Sequence, residues 1–444
     1  MGAVRNMGAV RKMGFWPLVA ATYFMVSGGP YGLEELVGRG YGVALIALVI
    51  TPWLWSVPTA MMVGELASAI PDEGGYYAWV RRALGPFWGF QEAWLSLVAS
   101  VFDMALYPIL FALYLGRLVP PWSEGQAPVV IASLVVVASA AWNVRGAASV
   151  GRGSVALGGL LLAPFAVLIG LALAHRGPSV AVPVPVPERT GGPLGGVLIA
   201  MWNYMGWDNA STIAGEVDHP DRTYPRAVFV TVALVTLTYV LPVAAMGIAG
   251  IDPRGWTTGA WVDAARDLGG PRLAFAVAVG GMVCGAGMFS ALLLSYSRLP
   301  AVLADEGRLP RWLARRAPDG GAPWASVVAC SVAYVACLGI GFSHLVALDV
   351  LLYGMSLTLE FVALVVLRVR EPSLLRPYKV PGGTIAAAVL GIPPALILAV
   401  ASWACRHEAV GPIPSLAVGA VLVGIGPILY RAGRVGSRGA LLDE

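Results

Sequence analysis

The sequence predicts an all-α integral membrane protein with twelve transmembrane helices, the first and sixth broken at mid-membrane. Three observations carry this expectation. Mean hydropathy is +0.75, and 58% of residues are hydrophobic against 12% charged, about half the charged share of a soluble domain. The apolar runs approach or exceed the roughly 20 residues a helix needs to cross a bilayer, and none alternates as a membrane strand would. Two runs are interrupted near their middle by Gly and polar or acidic residues. Inside hydrocarbon, such irregular backbone is tolerated only where it lines a cavity or is buried in protein.

In chain order, residues 1–14 form a basic tail, and the first run covers 15–37. It breaks at Ser27-Gly28-Gly29-Pro30, ahead of Glu34 and Glu35. The second run, 41–65, ends on Glu65. Gly75–Leu84 (GYYAWVRRAL) is short and amphipathic, carries Arg81 and Arg82, and is expected to lie along the inner surface. The third run, 87–116, holds Asp103 far from either end, and 127–143 and 153–174 follow without an acid. A Pro-rich linker, 175–193, precedes the sixth run, 194–217. That run is the centre of the chain, because LIAMWNYMGWDNASTIAGEV places Asn203, Gly206, Asp208 and Asn209 among Trp202, Tyr204 and Trp207. The remaining runs are 226–250, 272–297, 323–343, 344–367, 382–404 and 410–430, with a small helix expected over 261–268 and interfacial helices over 300–316.

Loop charge sets orientation. With the N-terminus inside, only Arg39, Arg117, Arg176, Arg189, Arg254, Arg266, Arg272 and Arg406 of the 29 Lys and Arg residues fall outside. Both termini are therefore expected in the cytosol, with the protein in the plasma (inner) membrane.

Composition also narrows the chemistry. The four cysteines lie inside apolar runs with no CxxC pair, and the four histidines are scattered, so no metal site, disulfide framework or cofactor is expected. No HExxH, GxSxG or clustered His supports an enzyme, and no repeated pore motif supports a channel. The net charge of +4 sorts by side of the membrane, so nucleic acid is not an expected partner. The bilayer is the expected partner, and the sequence leaves the oligomeric state open.

Intramembrane acids usually face a bundle interior or a watery cavity. Asp103 and Asp208 are the leading functional candidates on that ground. Glu65 and Glu216 sit near inner ends, where an ion pair with an inner arginine competes with simple solvation. Glu216 is expected to pair with Arg81 or Arg82 when the inner mouth is closed, as a gate. Glu34 and Glu35 point about 100° apart, so they do not share a cavity. Asp349 and Glu360 are assigned to packing or the interface. Trp202, one turn before the sixth-run break, is expected to lie over a bound solute.

The motifs VSGGPYGLEE, PTAMMVGELASAIPDEGGYYAWVRRALGPFWGFQEAW, FDMALYP, WNYMGWDNASTIAGEVDHPDRTYPRA and RVREPSLLRPYKVPGG span nearly the whole chain. Together they resemble the amino acid–polyamine–organocation transporters, in particular the polyamine and L-type amino acid uptake carriers of plants and their bacterial relatives. The resemblance implies a LeuT-type 5+5 inverted repeat plus two extra helices. Residues 15–174 would be the first repeat, 194–367 the second, and 368–444 the last two spans and a cytosolic tail. It implies that Ser27, Gly28 and Gly29 offer backbone groups to the substrate. It further implies that Ala99, Ser100, Asp103 and Met104 line the pocket, and that Trp202 closes over it.

Tyr204, Gly206 and Asp208 complete the expected binding set, and Asp103, Asp208, Glu216, Arg81, Arg82 and Trp202 the gating or proton-coupling set. Some proton-coupled members carry a Lys on the fifth helix; residues 153–174 have none. The expected activity is secondary active, proton-coupled uptake of a cationic amine by alternating access, with sodium as the other coupling ion to consider. The alternative is a neutral amino acid permease or exchanger of the same fold.

Overall fold

The computed structural model describes residues 12–175, 192–317, 322–338, 342–404, 409–410 and 413–439. The basic tail up to residue 11, most of the Pro-rich linker, Arg406 and the last five residues lie outside the described residues. The described residues are almost wholly helical. Seven helical stretches are long and apolar enough to cross a bilayer, and four shorter apolar helices accompany them. Large apolar side chains such as Leu134, Val137 and Ile385 stand exposed on the outside of the bundle, as lipid contact requires.

The first expected run divides into α1 (Phe15–Val26) and the single turn α2 (Glu34–Val37). Ser27 takes an extended conformation at the C-terminus of α1, and Gly29 and Gly32 have positive φ. The second run is longer than expected: α3 (Tyr41–Thr51) continues through a π-helical stretch, Pro52–Ser56, into α4 (Val57–Ala69). Pro52 and Pro58 each remove a donor from the helical ladder, and the widened turn takes up the mismatch. Then come α5 (Tyr76–Leu84), the long α6 (Pro86–Leu118), α7 (Ala127–Asn143) and α8 (Ala147–Ala174).

In the second half α9 (Gly192–Asn203) stops before the break, and a 3-10 helix, Asn209–Glu216, carries the chain on. α10 (Pro220–Ala249) starts ahead of the expected 226, with Pro at the first helical position, where its missing N–H costs nothing. α11 (Ala260–Tyr296) is kinked at Gly270, whose φ is 73°, ahead of Pro271. The small helix expected over 261–268 and the run 272–297 are thus two limbs of one element. α12 (Arg298–Asp305) follows, then α13 (Trp324–Ala336) and α14 (Phe342–Arg370). The expected run 382–404 appears as α15 (Gly383–Leu390) and α16 (Ile392–Ala404). A two-residue strand pair, Ala409–Val410 with Ile413–Pro414, precedes α17 (Ser415–Gly439).

The two breaks meet at the centre of the bundle. A Cβ on Gly206, which has φ of 93°, would stand 2.4 Å from the Met25 carbonyl oxygen. Only glycine lets the two chain interruptions approach this closely. α6 and α14 pack beside them, joined by Ser96 Oγ and Ser356 Oγ at 2.8 Å.

Candidate substrate site

Where the breaks meet, a small void of about 10 Å3 remains. Met25 and Val26 wall it from α1, and Met205, Gly206 and Asn209 from the second break. Asp103 and Tyr107 enter from α6, Tyr296 from α11, and Asp349 and Tyr353 from α14. No Lys, Arg or His lines it. The Asp103 Oδ1 accepts from the Tyr107 hydroxyl at 2.6 Å and from Trp202 Nε1–H at 3.2 Å. Trp202 stacks on Tyr107, their ring planes 15° apart. Both aromatics also line a second void of about 20 Å3, together with Gly32, Glu35 and Thr258. Trp202 therefore separates two small chambers, with Asp103 on one side and Glu35 on the other.

A larger cavity, about 670 Å3, lies elsewhere, between α6, α7 and α11. Phe111, Leu115, Leu134 and Val135 are among its walls, and no charged group faces it. Its chemistry suits acyl chains, so the acidic void is the better solute site.

Asp208 lies beside the void, where the Tyr353 hydroxyl donates to its Oδ1 and, in turn, accepts from the Gly206 N–H at 2.9 Å. One phenol thus bridges the backbone of the break to its acid. Asn209 completes the turn: its side-chain oxygen and its carbonyl both accept from the Ser295 hydroxyl, at 3.3 and 2.8 Å.

Several expected binding residues are placed off the void. Ser27 Oγ accepts from the Gly29 N–H at 3.1 Å and so shapes the break locally. Gly28 packs against α11, where a Cβ would clash with Cys284 Sγ at 2.1 Å. Ser100 binds the Leu97 carbonyl and stands 3.1 Å from the Tyr334 hydroxyl, so it faces α13. Ala99 and Met104 are buried, yet neither reaches the void. Tyr204 points away, donating to the Leu48 carbonyl at 2.8 Å. Glu34 accepts from the Gly32 and Gly259 N–H groups and the Tyr114 hydroxyl, while its neighbour Glu35 turns to the upper chamber.

At the arginine-rich end the expected pairing of Glu216 with Arg81 or Arg82 is corrected. Glu216 pairs with Arg298 at 2.8 Å. Arg298 caps the junction of α11 and α12 and its side chain is almost wholly buried, so it takes the carboxylate that reaches it. Arg81 pairs instead with Glu306, which also accepts from the Tyr77 hydroxyl. Arg82 grips Glu371 with two hydrogen bonds, at 3.0 and 2.6 Å. Glu65 is held by Arg368 and by Arg376 at 3.1 Å.

Asp349 and Glu360, assigned above to packing or the interface, belong near the site. Asp349 lines the void, and Glu360 faces Asp208. Glu92, absent from the candidate acids, is fully buried in α6 and accepts from Ser96 and Ser356. The signal was available. Glu92, Ser96, Asp103 and Tyr107 fall within about 60° on one face of α6, and Asp349, Tyr353, Ser356 and Glu360 on one face of α14. Two polar stripes at helical spacing inside apolar helices mark faces turned toward each other.

Two helix breaks meet at an acidic void that Trp202 helps to line, an arrangement that suits a solute carrier of the membrane. The chain belongs to the amino acid permease family, whose profile matches residues 19–424. Similar proteins include polyamine transporter PUT1 of Oryza sativa subsp. japonica, 36% identical over 417 residues that span 93% of this chain and 78% of that one. Polyamine transporter RMV1 of Arabidopsis thaliana is 33% identical over 400 residues, 89% of this chain and 81% of that one.

Proposed function

We propose that this permease moves a small cationic amine, of the polyamine or cationic amino acid class, by proton-coupled alternating access. The reading includes a twelve-helix plasma-membrane protein with a LeuT-type inverted repeat and cytosolic termini. One observation carries the substrate class: Asp103 and Asp349 enter one small void that no cationic side chain lines. A cation entering a low-dielectric site needs an anionic partner. At an effective dielectric of 20, such a pair at 4 Å gains about 4 kcal/mol. A neutral amino acid brings its own carboxylate and would meet repulsion from both acids. Its natural anchor would be free backbone N–H groups, and the Gly206 N–H is already taken by Tyr353.

Asp103 receives the ammonium, Trp202 and Tyr107 close over it, and Asp208 and Tyr353 register occupancy at the break. The ion pairs Glu216–Arg298, Arg81–Glu306 and Arg82–Glu371 hold the opposite mouth shut. The similarity to proteins named polyamine transporters supports the same substrate class.

The test is Asp103→Asn in proteoliposomes, which keeps the side-chain shape and removes the charge. Uptake and binding of labelled putrescine should fall at least a hundredfold, while the purified variant melts at or above the wild-type temperature. Competition by spermidine, arginine and leucine ranks the class. Full retention of putrescine uptake by the variant, or competition by leucine alone, would overturn the cationic reading.

A further inference from the structure

Below the void, α6, α14 and the second break bring three more carboxyls together. Glu92 and Glu360 have no exposed surface, and Asp208 has almost none. Among the ion pairs of the described residues, none includes any of the three.

Glu360 is the anomaly. It faces Asp208, yet both its oxygens lack a hydrogen-bond partner, and so does Oε2 of Glu92. Two carboxylate oxygens are both acceptors, so they cannot bond unless one carries a hydrogen. The same region holds two buried phenol oxygens without partners, those of Tyr76 from α5 and Tyr224 from α10. Tyr76 is within electrostatic reach of Glu92, Asp208 and Glu360, and Tyr224 of Asp208 and Glu360. Tyr353 from α14 and Tyr296 from α11 also face Asp208. The titratable neighbours these contacts bring from α5, α10, α11 and α14 are thus acids and phenols.

Glu92 is tied to both helices. Glu92 Oε1 accepts from Ser96 and Ser356, at 2.9 and 2.7 Å, and the two hydroxyls stand 2.8 Å apart. Along α6, Asp103 and Glu92 are separated by about 16 Å of helix. The acidic face of α6 therefore extends from the solute void to within two turns of the arginine-rich end, where α6 begins at Pro86.

We propose that Glu360, abutting Asp208, and Glu92, held by Ser96 and Ser356, form a proton-carrying site distinct from the amine site. A hydrogen on Glu360 supplies the donor that the Glu360–Asp208 contact lacks. When the inner mouth opens, the O–H bond breaks and the proton passes by way of the serine hydroxyls and Glu92 to water at the arginine-rich end. The carboxylate left behind is reloaded from the other side in the next cycle. Asp208 is the link, because it belongs both to the break beside the amine void and to the carboxyl cluster. The proposal rests on the amine-permease reading, and its test separates the two.

Full-length protein in proteoliposomes is given labelled putrescine under an imposed pH gradient, under a sodium gradient, or with unlabelled putrescine inside for exchange. Glu360→Gln should exchange putrescine within about twofold of wild type and lose pH-driven accumulation at least tenfold. Glu92→Gln should do the same more weakly. Accumulation by Glu360→Gln at the wild-type level overturns the site, as does loss of exchange along with accumulation, or accumulation driven by sodium alone. Wild-type protein that accumulates none of putrescine, spermidine, arginine and leucine overturns the amine reading. Putrescine accumulation indifferent to pH leaves that reading standing and removes the proton site. Should neither variant fold, wild-type protein treated with dicyclohexylcarbodiimide, which adds to protonated carboxyls in apolar surroundings, should carry the adduct on Glu360 or Glu92. An adduct on neither overturns the proposal.

Discussion

Glu65 and Glu360 are the same residue type, equally shut off from solvent, and their surroundings are opposite. Glu65 accepts from Arg368, from Arg376 and from the Val380 N–H at 2.7 Å. Glu360 has no cation beside it, and the polar group it faces is another acid, Asp208. Moving a carboxylate out of water costs several kcal/mol even after relaxation. At Glu65 the protein offsets that cost internally, and the group is finished. At Glu360, and in weaker form at Asp103 and Asp349, the protein leaves the offset to something that arrives. A closed set of charges holds the fold at the arginine-rich end, and on the reading proposed above the open set in the middle is kept for cations in transit.

The largest effect that would break this division is on stability. Glu65→Gln removes the one negative charge between two buried guanidiniums, and truncating one side of such a set costs about 3–5 kcal/mol. Thermal unfolding in detergent should show a large drop for Glu65→Gln. Glu360→Gln, which replaces an unbonded acid by an amide with its own donors, should unfold at or above the wild-type temperature. Equal losses in both variants would mean that both acids are structural and that the division is false.

A second measurement sharpens the open set. Trp202 donates to Asp103 and stacks on Tyr107, so it is either a lid over a cation or a packing residue that steadies an acid. A desolvated ammonium against an indole is worth about 2 kcal/mol, about thirtyfold in affinity. Trp202→Leu should weaken putrescine binding by that factor with little change in unfolding temperature. Intact affinity with a lowered unfolding temperature would assign Trp202 to packing.

How much of this was legible in the sequence follows the same division. The helix runs, both breaks, and Asp103 with Trp202 could be read from local pattern, because Gly, Pro and acids inside apolar runs are local signals. The pairing of Glu216 could not. Arg81 and Arg298 are both basic residues at the same end, and which one meets Glu216 depends on how the 3-10 helix Asn209–Glu216 packs against α11. Ser100 was expected in the pocket from the family resemblance, and Tyr204 from its place beside the second break. Each sits on a helix face turned to another neighbour, Tyr334 and Leu48 respectively. Asp349, Glu360 and Glu92 failed for a different reason. Weighing each acid singly by its depth in the membrane hid the stripes that α6 and α14 display when read at 3.6 residues per turn.

The smallest effect lies at the exposed edge of the closed set, where Arg82 and Glu371 are each about a third or more exposed. The two hydrogen bonds from Arg82 hold the Glu371 carboxyl below its ordinary value. A carboxylate whose folded value is lowered contributes stability that is fully present above its unfolded value, about 4.3. That contribution is lost as pH falls through the lowered one. The pair should therefore stay closed throughout the neutral and mildly acidic range. Glu371→Gln should shift stability by no more than the roughly 0–1 kcal/mol of an exposed pair. Its expected signature is kinetic: with one latch of the inner mouth gone, putrescine exchange should rise severalfold at pH 7, and the gain over wild type should shrink below about pH 4. An unchanged exchange rate at pH 7 would show that Arg82–Glu371 decorates the surface, and that Glu216–Arg298, whose arginine is almost wholly buried, carries the closure.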